Sequence, residues 1–173
     1  MTRRPQRAAP APFDPLRALR VLSDHAARFV LIGGFAGRLY GSPTVTNDLD
    51  LCYARDPENL ERMAAALGEL RAHLRGAPQD LPFRLDAKTL QAGLNFTFAS
   101  DAGNLDLLGM PSGTRGFEDL DRTAEALDLD GLTVRVASLD DLIRMKQAAA
   151  RPKDLIEAEV LGALREEIEA DER

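Results

Sequence analysis

The sequence of 173 residues predicts an α/β (α+β) fold, a mixed sheet of five or six strands with helices packed on it. Short apolar or alternating segments, typical of strands, are separated by longer segments with the apolar spacing of helices. Two pairs of strand-like segments are joined by tight turns that contain Gly103 and Gly131. The length favours a single domain. We place it at residues 14–173, after a basic tail, residues 1–13, that we expect to be disordered.

Two Asp-Pro pairs mark helix starts in the amino-terminal part, because Asp caps a helix and Pro suits its first turn. They are Asp14-Pro15 and Asp56-Pro57. The Gly33-Gly34 pair ends a short apolar run abruptly. In order, these signals predict a helix over 15–25, a strand over 29–32, a short helix over 35–40, a strand over 48–53 and a helix over 57–74.

The pattern of the carboxyl-terminal part predicts two hairpins followed by two helices. Ser138 begins a capping-box pattern, and Pro152 interrupts the helical spacing that follows it. The predicted elements are strands over 95–99, 104–108, 124–129 and 132–136, and helices over 139–150 and 152–170.

The composition excludes several classes of protein. Acidic residues outnumber basic ones by 28 to 22, which disfavours nonspecific coating of nucleic acid. No apolar run approaches the roughly 18 residues of a transmembrane helix, and no secretory signal is expected. A single cysteine excludes an internal disulfide framework and any zinc site built on several cysteines. We therefore expect a cytoplasmic protein that does not associate with membranes.

A pair of carboxylates on one strand is the first candidate site. Side chains alternate along a strand, so Asp48 and Asp50 face one side while Leu49 faces the other. Two carboxylates on one face repel each other unless solvent, a proton or a cation relieves them. Mg²⁺ prefers such oxygen ligands. Asp106, between two leucines on another predicted strand, is a candidate third member.

The Gly33-Gly34 turn is the second candidate site. Glycines allow a close approach of the backbone to phosphate, and the start of a helix offers free N–H groups. A phosphate site near a carboxylate metal site predicts chemistry on a nucleoside triphosphate. Each feature alone also fits a purely structural reading, in which the glycines form a tight turn and the Asp pair lies on a solvated sheet surface.

The motifs together resemble the nucleotidyltransferase superfamily of the polymerase-beta type. The resemblance rests on Val30 to Gly34, Thr46 to Leu51 and Asn104 to Leu108. The segments from Ser138 to Lys146 and from Arg151 to Leu155 resemble its small bacterial branch, the minimal nucleotidyltransferases and abortive-infection toxin nucleotidyltransferases.

The resemblance implies a role for each matching position. Asp48, Asp50 and Asp106 would be catalytic and hold Mg²⁺ or Mn²⁺, and Asp106 would help to activate the acceptor hydroxyl. Lys146 would be catalytic and reach the nucleotide phosphates. The other implied nucleotide-binding residues are Gly33, Gly34, Thr46, Asn47 and Asp154.

The implied activity is Mg²⁺-dependent transfer of a nucleoside monophosphate from an NTP to a hydroxyl acceptor, in a role that includes toxin–antitoxin function. The acceptor could be an RNA end, a protein side chain or a small molecule, and a partner protein or a homodimer could complete its site. Relatives often carry Ser at the position of Gly34 and Arg at that of Thr44. These departures keep an alternative open: a noncatalytic nucleotide-binding or antitoxin-type interaction module on the same fold.

Overall fold

The computed structural model describes residues 9–78 and 80–173. Helices and strands alternate along most of this length, as the sequence predicts. In chain order they are α1 (Pro15–Asp24), β1 (Phe29–Ile32), α2 (Gly33–Leu39), β2 (Asp48–Tyr53), α3 (Pro57–Glu69), β3 (His73–Leu74), α4 (Ala87–Ala92), β4 (Asn95–Ser100), β5 (Gly103–Leu108), α5 (Phe117–Asp121), β6 (Glu125–Leu129), β7 (Leu132–Val136), α6 (Leu139–Ala149) and α7 (Pro152–Asp171).

The strands of the described residues form one mixed sheet of seven in the order β3-β4-β5-β2-β1-β7-β6. β2 runs parallel to β5 and antiparallel to β1, and β1 runs parallel to β7. The two predicted hairpins are confirmed as β4-β5 and β6-β7. The topology places β2 at the centre of the sheet, between β1 and β5.

The predicted helix caps are confirmed. Asp14 accepts a hydrogen bond from the backbone N–H of Arg17 at 3.1 Å, and Ser138 caps α6 in the same way through Asp141 at 3.2 Å. Asp56 likewise caps α3. Each cap satisfies a backbone donor that the first turn of a helix leaves free.

The predicted helix over 57–74 is too long, and for the same reason β3 was not among the predicted strands, so the expected five or six fall short of the observed seven. The helix ends at Glu69, and Arg71 takes a left-handed backbone conformation with φ of 51°. The chain then turns back, and His73 and Leu74 pair with β4 as the seventh strand. Leu70 keeps the apolar spacing because it is buried in the core after the helix has ended.

The core lies beneath the face of β2 that carries its leucines. Leu49 and Leu51 are fully buried, whereas Asp48 and Asp50 on the other face are only partly covered. Helices α1 and α3 add to the core Leu19, Leu22, Leu60, Met63 and Leu67. The hydrophobic contacts of one face thus fix the orientation of the acidic residues on the other.

The expectation of a disordered tail falls largely on residues 1–8, which lie outside the described residues. Phe13, near its end, packs edge-on against Phe35, with ring centroids 6.1 Å apart. Across the described ranges, no helix combines the length and the apolar character needed to cross a bilayer.

Candidate functional site

The parallel pairing of β2 with β5 brings two of the predicted acidic residues side by side. Asp50 stands directly opposite Asp106, and Asp48 stands opposite Asn104 two residues earlier on the same face. The charges of Asp106 and Asp48 both act on Asp50, and the charge of Asp48 also acts on Asp106. The predicted acidic trio is therefore brought together in space.

The pKa values of Asp50 and Asp106 are raised. Burial, with the charges of Asp106 and Asp48, raises the pKa of Asp50 to about 6, although Lys146 opposes the shift. Burial also raises the pKa of Asp106, and the charge of Asp48 adds to it, against the opposing charge of Arg75. A cation placed among the three carboxylates would relieve this repulsion.

One oxygen of Asp106 is left without a hydrogen bond. Asp106 Oδ1 is buried, and Arg75 Nη2 lies 3.0 Å from it as an ion pair whose geometry makes no hydrogen bond. As the side chains stand, no three His, Cys, Asp or Glu residues of the described chain form a complete set of metal ligands. The donor chemistry still fits a divalent cation, because three carboxylates share one face and a buried oxygen among them makes no hydrogen bond.

Gly33 and Gly34 lie against the acidic face. Gly33 has φ of +76°, and a Cβ there would stand 2.1 Å from Asp50 Oδ2, so glycine is required for the Asp50 carboxylate to approach the backbone. At Gly34 a Cβ would lie 3.1 Å from the Thr46 Cβ. The glycine pair thus makes room for Asp50 and Thr46, a use that the sequence motif did not reveal.

The loop before β2 holds Thr46 and Asn47 at the edge of the site. Thr46 Oγ1 donates a hydrogen bond to the backbone oxygen of Asp48 at 3.2 Å, which helps to set the start of the strand. Asn47 is exposed, and like Thr46 it lines a polar cavity in front of the acidic face.

Lys146 and Asp154 are brought together where α6 meets α7. Lys146 Nζ lies 3.6 Å from Asp154 Oδ1. Asp154 is almost fully buried, and Arg151 Nε donates to its Oδ2 at 2.6 Å. The hydrogen bond and charge of Arg151, with the charge of Lys146, lower the pKa of Asp154. This buried carboxylate therefore anchors two cations beside the acidic face.

A polar cavity of about 540 Å³ joins the acidic and basic groups. The three acidic side chains stand on its wall together with three cations. Its charged lining residues are Asp48, Asp50, Asp106, Lys146, Arg151, Lys153 and Glu157.

A second, half-apolar cavity of about 280 Å³ adjoins the polar one, and Asp50 and Lys146 line both. Leucine and methionine side chains form much of its wall, and Asn95 and Ser112 add uncharged polar groups. The apolar side chains that line it include Leu108, Met110, Leu142 and Met145.

Three residues of the site were missed by the sequence analysis as functional candidates: Arg75, Arg151 and Glu157. Buried Glu157 accepts hydrogen bonds from Ser42 at 3.0 Å and from Thr44, and so ties the loop before β2 to α7. The spacing of Asp154 and Glu157, one helical turn apart on α7, was a usable signal for Glu157. Arg75 had none, because it followed a segment that the sequence predicted to be helix.

Solved structures share this fold. The lincosamide antibiotic adenylyltransferase LnuA, in its lincomycin-bound form, matches with a TM-score of 0.56 and 11% identity, over 87% of this chain and 95% of that one. ANT(2")-Ia in complex with adenylyl-2"-tobramycin matches with a TM-score of 0.52 and 17% identity, over 92% of this chain and 97% of that one.

A Thermotoga maritima protein assigned to the nucleotidyltransferases matches with a TM-score of 0.50 and 19% identity, over 91% of this chain and 97% of that one. No protein-family model and no curated protein matches the chain. The fold predicted from the sequence, that of a nucleotidyltransferase, is confirmed.

Proposed function

We propose that the protein is a Mg²⁺-dependent nucleotidyltransferase that moves a nucleoside monophosphate from an NTP to a hydroxyl group of a small molecule. One observation carries the proposal: the polar cavity has Asp48, Asp50 and Asp106 on its wall together with Lys146 and two neighbouring cations. A metal-bound triphosphate needs both kinds of charge, carboxylates for the metal and cations for the phosphate oxygens.

The basic side of the cavity binds the phosphates. Lys146 is a compact charge on a flexible stem, and its ion pair with buried Asp154 directs it toward the cavity. Arg151 shares the same anchor, and exposed Lys153 lies two residues further along the chain. Together these groups offset the charge of the triphosphate, which no single lysine could do.

The acidic side holds the metal and activates the acceptor. Asp48, Asp50 and Asp106 would hold Mg²⁺, which when bound supplies positive charge against the phosphate oxygens and lowers the pKa of a nearby hydroxyl. The acceptor oxygen attacks the α-phosphorus and forms the new O–P bond. The bond from that phosphorus to the bridging oxygen breaks, and pyrophosphate leaves. Asp106 accepts the proton of the acceptor hydroxyl.

The half-apolar cavity favours a small acceptor. Its volume of about 280 Å³ suits one part of a small molecule. The solved structures that share the fold include a lincomycin-bound adenylyltransferase and a complex with adenylyl-2"-tobramycin, and this chain spans nine-tenths or more of their lengths. We therefore favour small hydroxylated molecules as acceptors over RNA ends and protein side chains.

Transfer of label from an NTP tests the proposal. The protein is incubated with Mg²⁺, each α-³²P-labelled NTP and three acceptor sets: a panel of hydroxylated antibiotics, total RNA and a cell extract. We expect a labelled small molecule with the wild type and none with the Asp48→Asn/Asp50→Asn variant. Labelled RNA or labelled protein would overturn the acceptor class and leave the transferase standing.

The noncatalytic alternative predicts a different outcome of the same experiment. Calorimetry would then show NTP binding, while no acceptor in any set would become labelled. That combination would reject the enzyme and support a nucleotide-binding module on the nucleotidyltransferase fold.

A further inference from the structure

Arg75 ends a row of neighbouring positions that crosses the sheet to the acidic residues. The backbone N–H of Arg75 donates to the oxygen of Thr97 on β4 at 2.9 Å. Thr97 stands opposite Asp106 on β5, and Asp106 stands opposite Asp50 on β2. Residues directly opposite each other share a face of the sheet, so the Arg75 side chain approaches the carboxylates from the side.

The guanidinium of Arg75 lies against the oxygen that a metal needs. Nη2 is 3.0 Å from Asp106 Oδ1, the buried oxygen that makes no hydrogen bond, and the charge of Arg75 lowers the pKa of both Asp106 and Asp50. Arg75 therefore offsets part of the negative charge that three neighbouring carboxylates bring to this face.

Few contacts fix the Arg75 side chain beside Asp106. The Arg75 side chain is about one-third exposed, and its other contact, from Nη1 to the backbone oxygen of Phe98, is long at 3.5 Å. A flexible, partly solvated guanidinium can turn into solvent at a small cost in free energy. A divalent cation can thus displace it from Asp106.

We infer that Arg75 is a displaceable counter-ion: it occupies the Asp106 side of the metal site when no metal is bound, and it lowers the affinity of that site for a divalent cation. The inference rests on the proposed function, because it assumes that the three carboxylates form the metal site. A metal ion bound at the buried Asp106 oxygen would lie close to the guanidinium 3.0 Å from it, and the two positive charges would repel each other, so they compete for this position.

Mn²⁺ binding in the absence of nucleotide tests the inference. Free Mn²⁺ is measured by electron paramagnetic resonance during titration of the wild type and the Arg75→Gln variant. We expect the variant to bind Mn²⁺ about tenfold more tightly, since one competing charge at close range is removed. Without metal, we expect the same variant to melt at a lower temperature than the wild type, because the carboxylates have lost their counter-ion.

Two further variants control the result. Arg84→Gln removes an equal charge from a side chain that is 90% exposed and pairs with Asp86, and it should change the Mn²⁺ affinity by less than about twofold. Arg75→Met keeps the alkyl stem and should reproduce Arg75→Gln, which keeps the test sharp if one variant folds poorly.

The gain in affinity must also depend on the acidic residues. Adding Asp106→Asn to Arg75→Gln should abolish it, because Arg75 acts on the Asp106 carboxylate. The inference is overturned if Arg75→Gln and Arg75→Met bind Mn²⁺ no more tightly than the wild type, or if the gain survives Asp106→Asn. Failure of the proposed function is separate and is seen as absence of label transfer by the wild type. If the wild type transfers label but the Arg75 variants bind Mn²⁺ no more tightly than the wild type, the role of Arg75 as a counter-ion is rejected and the proposed function is not.

Discussion

Asp50 on β2 stands directly opposite Asp106 on β5, so that two carboxylates lie side by side on one face of a parallel strand pair. Burial and this neighbour raise the pKa of Asp50 to about 6. Leucines at these positions would favour folding without repulsion, so the pair weakens the metal-free protein. Residues that destabilise the protein without a cation and are stabilised by one are typical of a functional site.

The Asp50→Asn variant should be more stable than the wild type without metal and inactive with it. The amide keeps the shape of the side chain but removes the charge that Asp106 and Asp48 repel. We expect a higher melting temperature at pH 7.5 in the presence of a chelator, and a loss of transfer rate of about a hundredfold or more. Asp171→Asn, on an exposed residue at the end of α7, is the control and should change neither quantity.

The stability of the metal-free protein should fall as the pH rises through the titration of Asp50. The folded state holds this proton up to a pH of about 6, whereas the unfolded chain releases it near 3.8. The contribution of Asp50 to the free energy of unfolding is therefore fully present below 3.8 and is lost by the time the pH has passed about 6. Urea denaturation between about pH 3.5 and 7.5, which brackets this window, measures the free energy of unfolding. We expect it to fall less steeply with pH in Asp50→Asn than in the wild type. Equal slopes in the two proteins would contradict the raised pKa of Asp50.

The Gly33→Ala variant should be destabilised by more than its backbone conformation alone explains. Gly33 and Gly76 share a φ of +76°, but a Cβ at Gly33 would stand 2.1 Å from Asp50 Oδ2, whereas one at Gly76 would meet nothing within 4 Å. We expect a loss of about 1 kcal/mol for Gly76→Ala and about 3 kcal/mol or more for Gly33→Ala. Urea denaturation measures both, and equal losses would show that the Asp50 carboxylate does not press on Gly33.

The Lys146→Met variant should bind the NTP more weakly. Lys146 lines the polar cavity, and removal of its charge takes away one contact to the phosphates. We expect the KM for the NTP to rise about tenfold or more. Lys88→Met, on the exposed side of α4, is the matched control among the three lysines of the chain. A KM that is unchanged in Lys146→Met would remove this residue from the phosphate site.

The fold and the acidic part of the site could be predicted because their causes are local. Alternation placed Asp48 and Asp50 on one face of β2, and Asp-Pro pairs marked the helix starts. Asp106 was a candidate third member because it lies between two leucines on a predicted strand, and the resemblance implied it, but its register opposite Asp50 was not predicted. It depends on β5 lying beside β2, a contact between segments far apart in the sequence.

Most of the remainder depended on contacts between segments that are far apart in the sequence. Arg75 reaches Asp106 because the predicted helix over 57–74 ends early and His73-Leu74 joins the sheet. Two short helices, α4 and α5, span six and five residues and give too little periodicity to be recognised. Glu157 looked like one more charge on α7, and only the fold shows it buried against Ser42.

The central claim is that the protein transfers a nucleoside monophosphate from an NTP to an acceptor. The most direct test follows the α- and γ-phosphorus of the NTP into the products. The wild type is incubated with Mg²⁺, the acceptor panel and NTP labelled on either the α- or the γ-phosphorus. Nucleotidyl transfer predicts α-label in the acceptor and γ-label in released pyrophosphate, and neither product with the Asp48→Asn/Asp50→Asn variant. Appearance of γ-label in the acceptor, or equal labelling by that variant, would contradict the account.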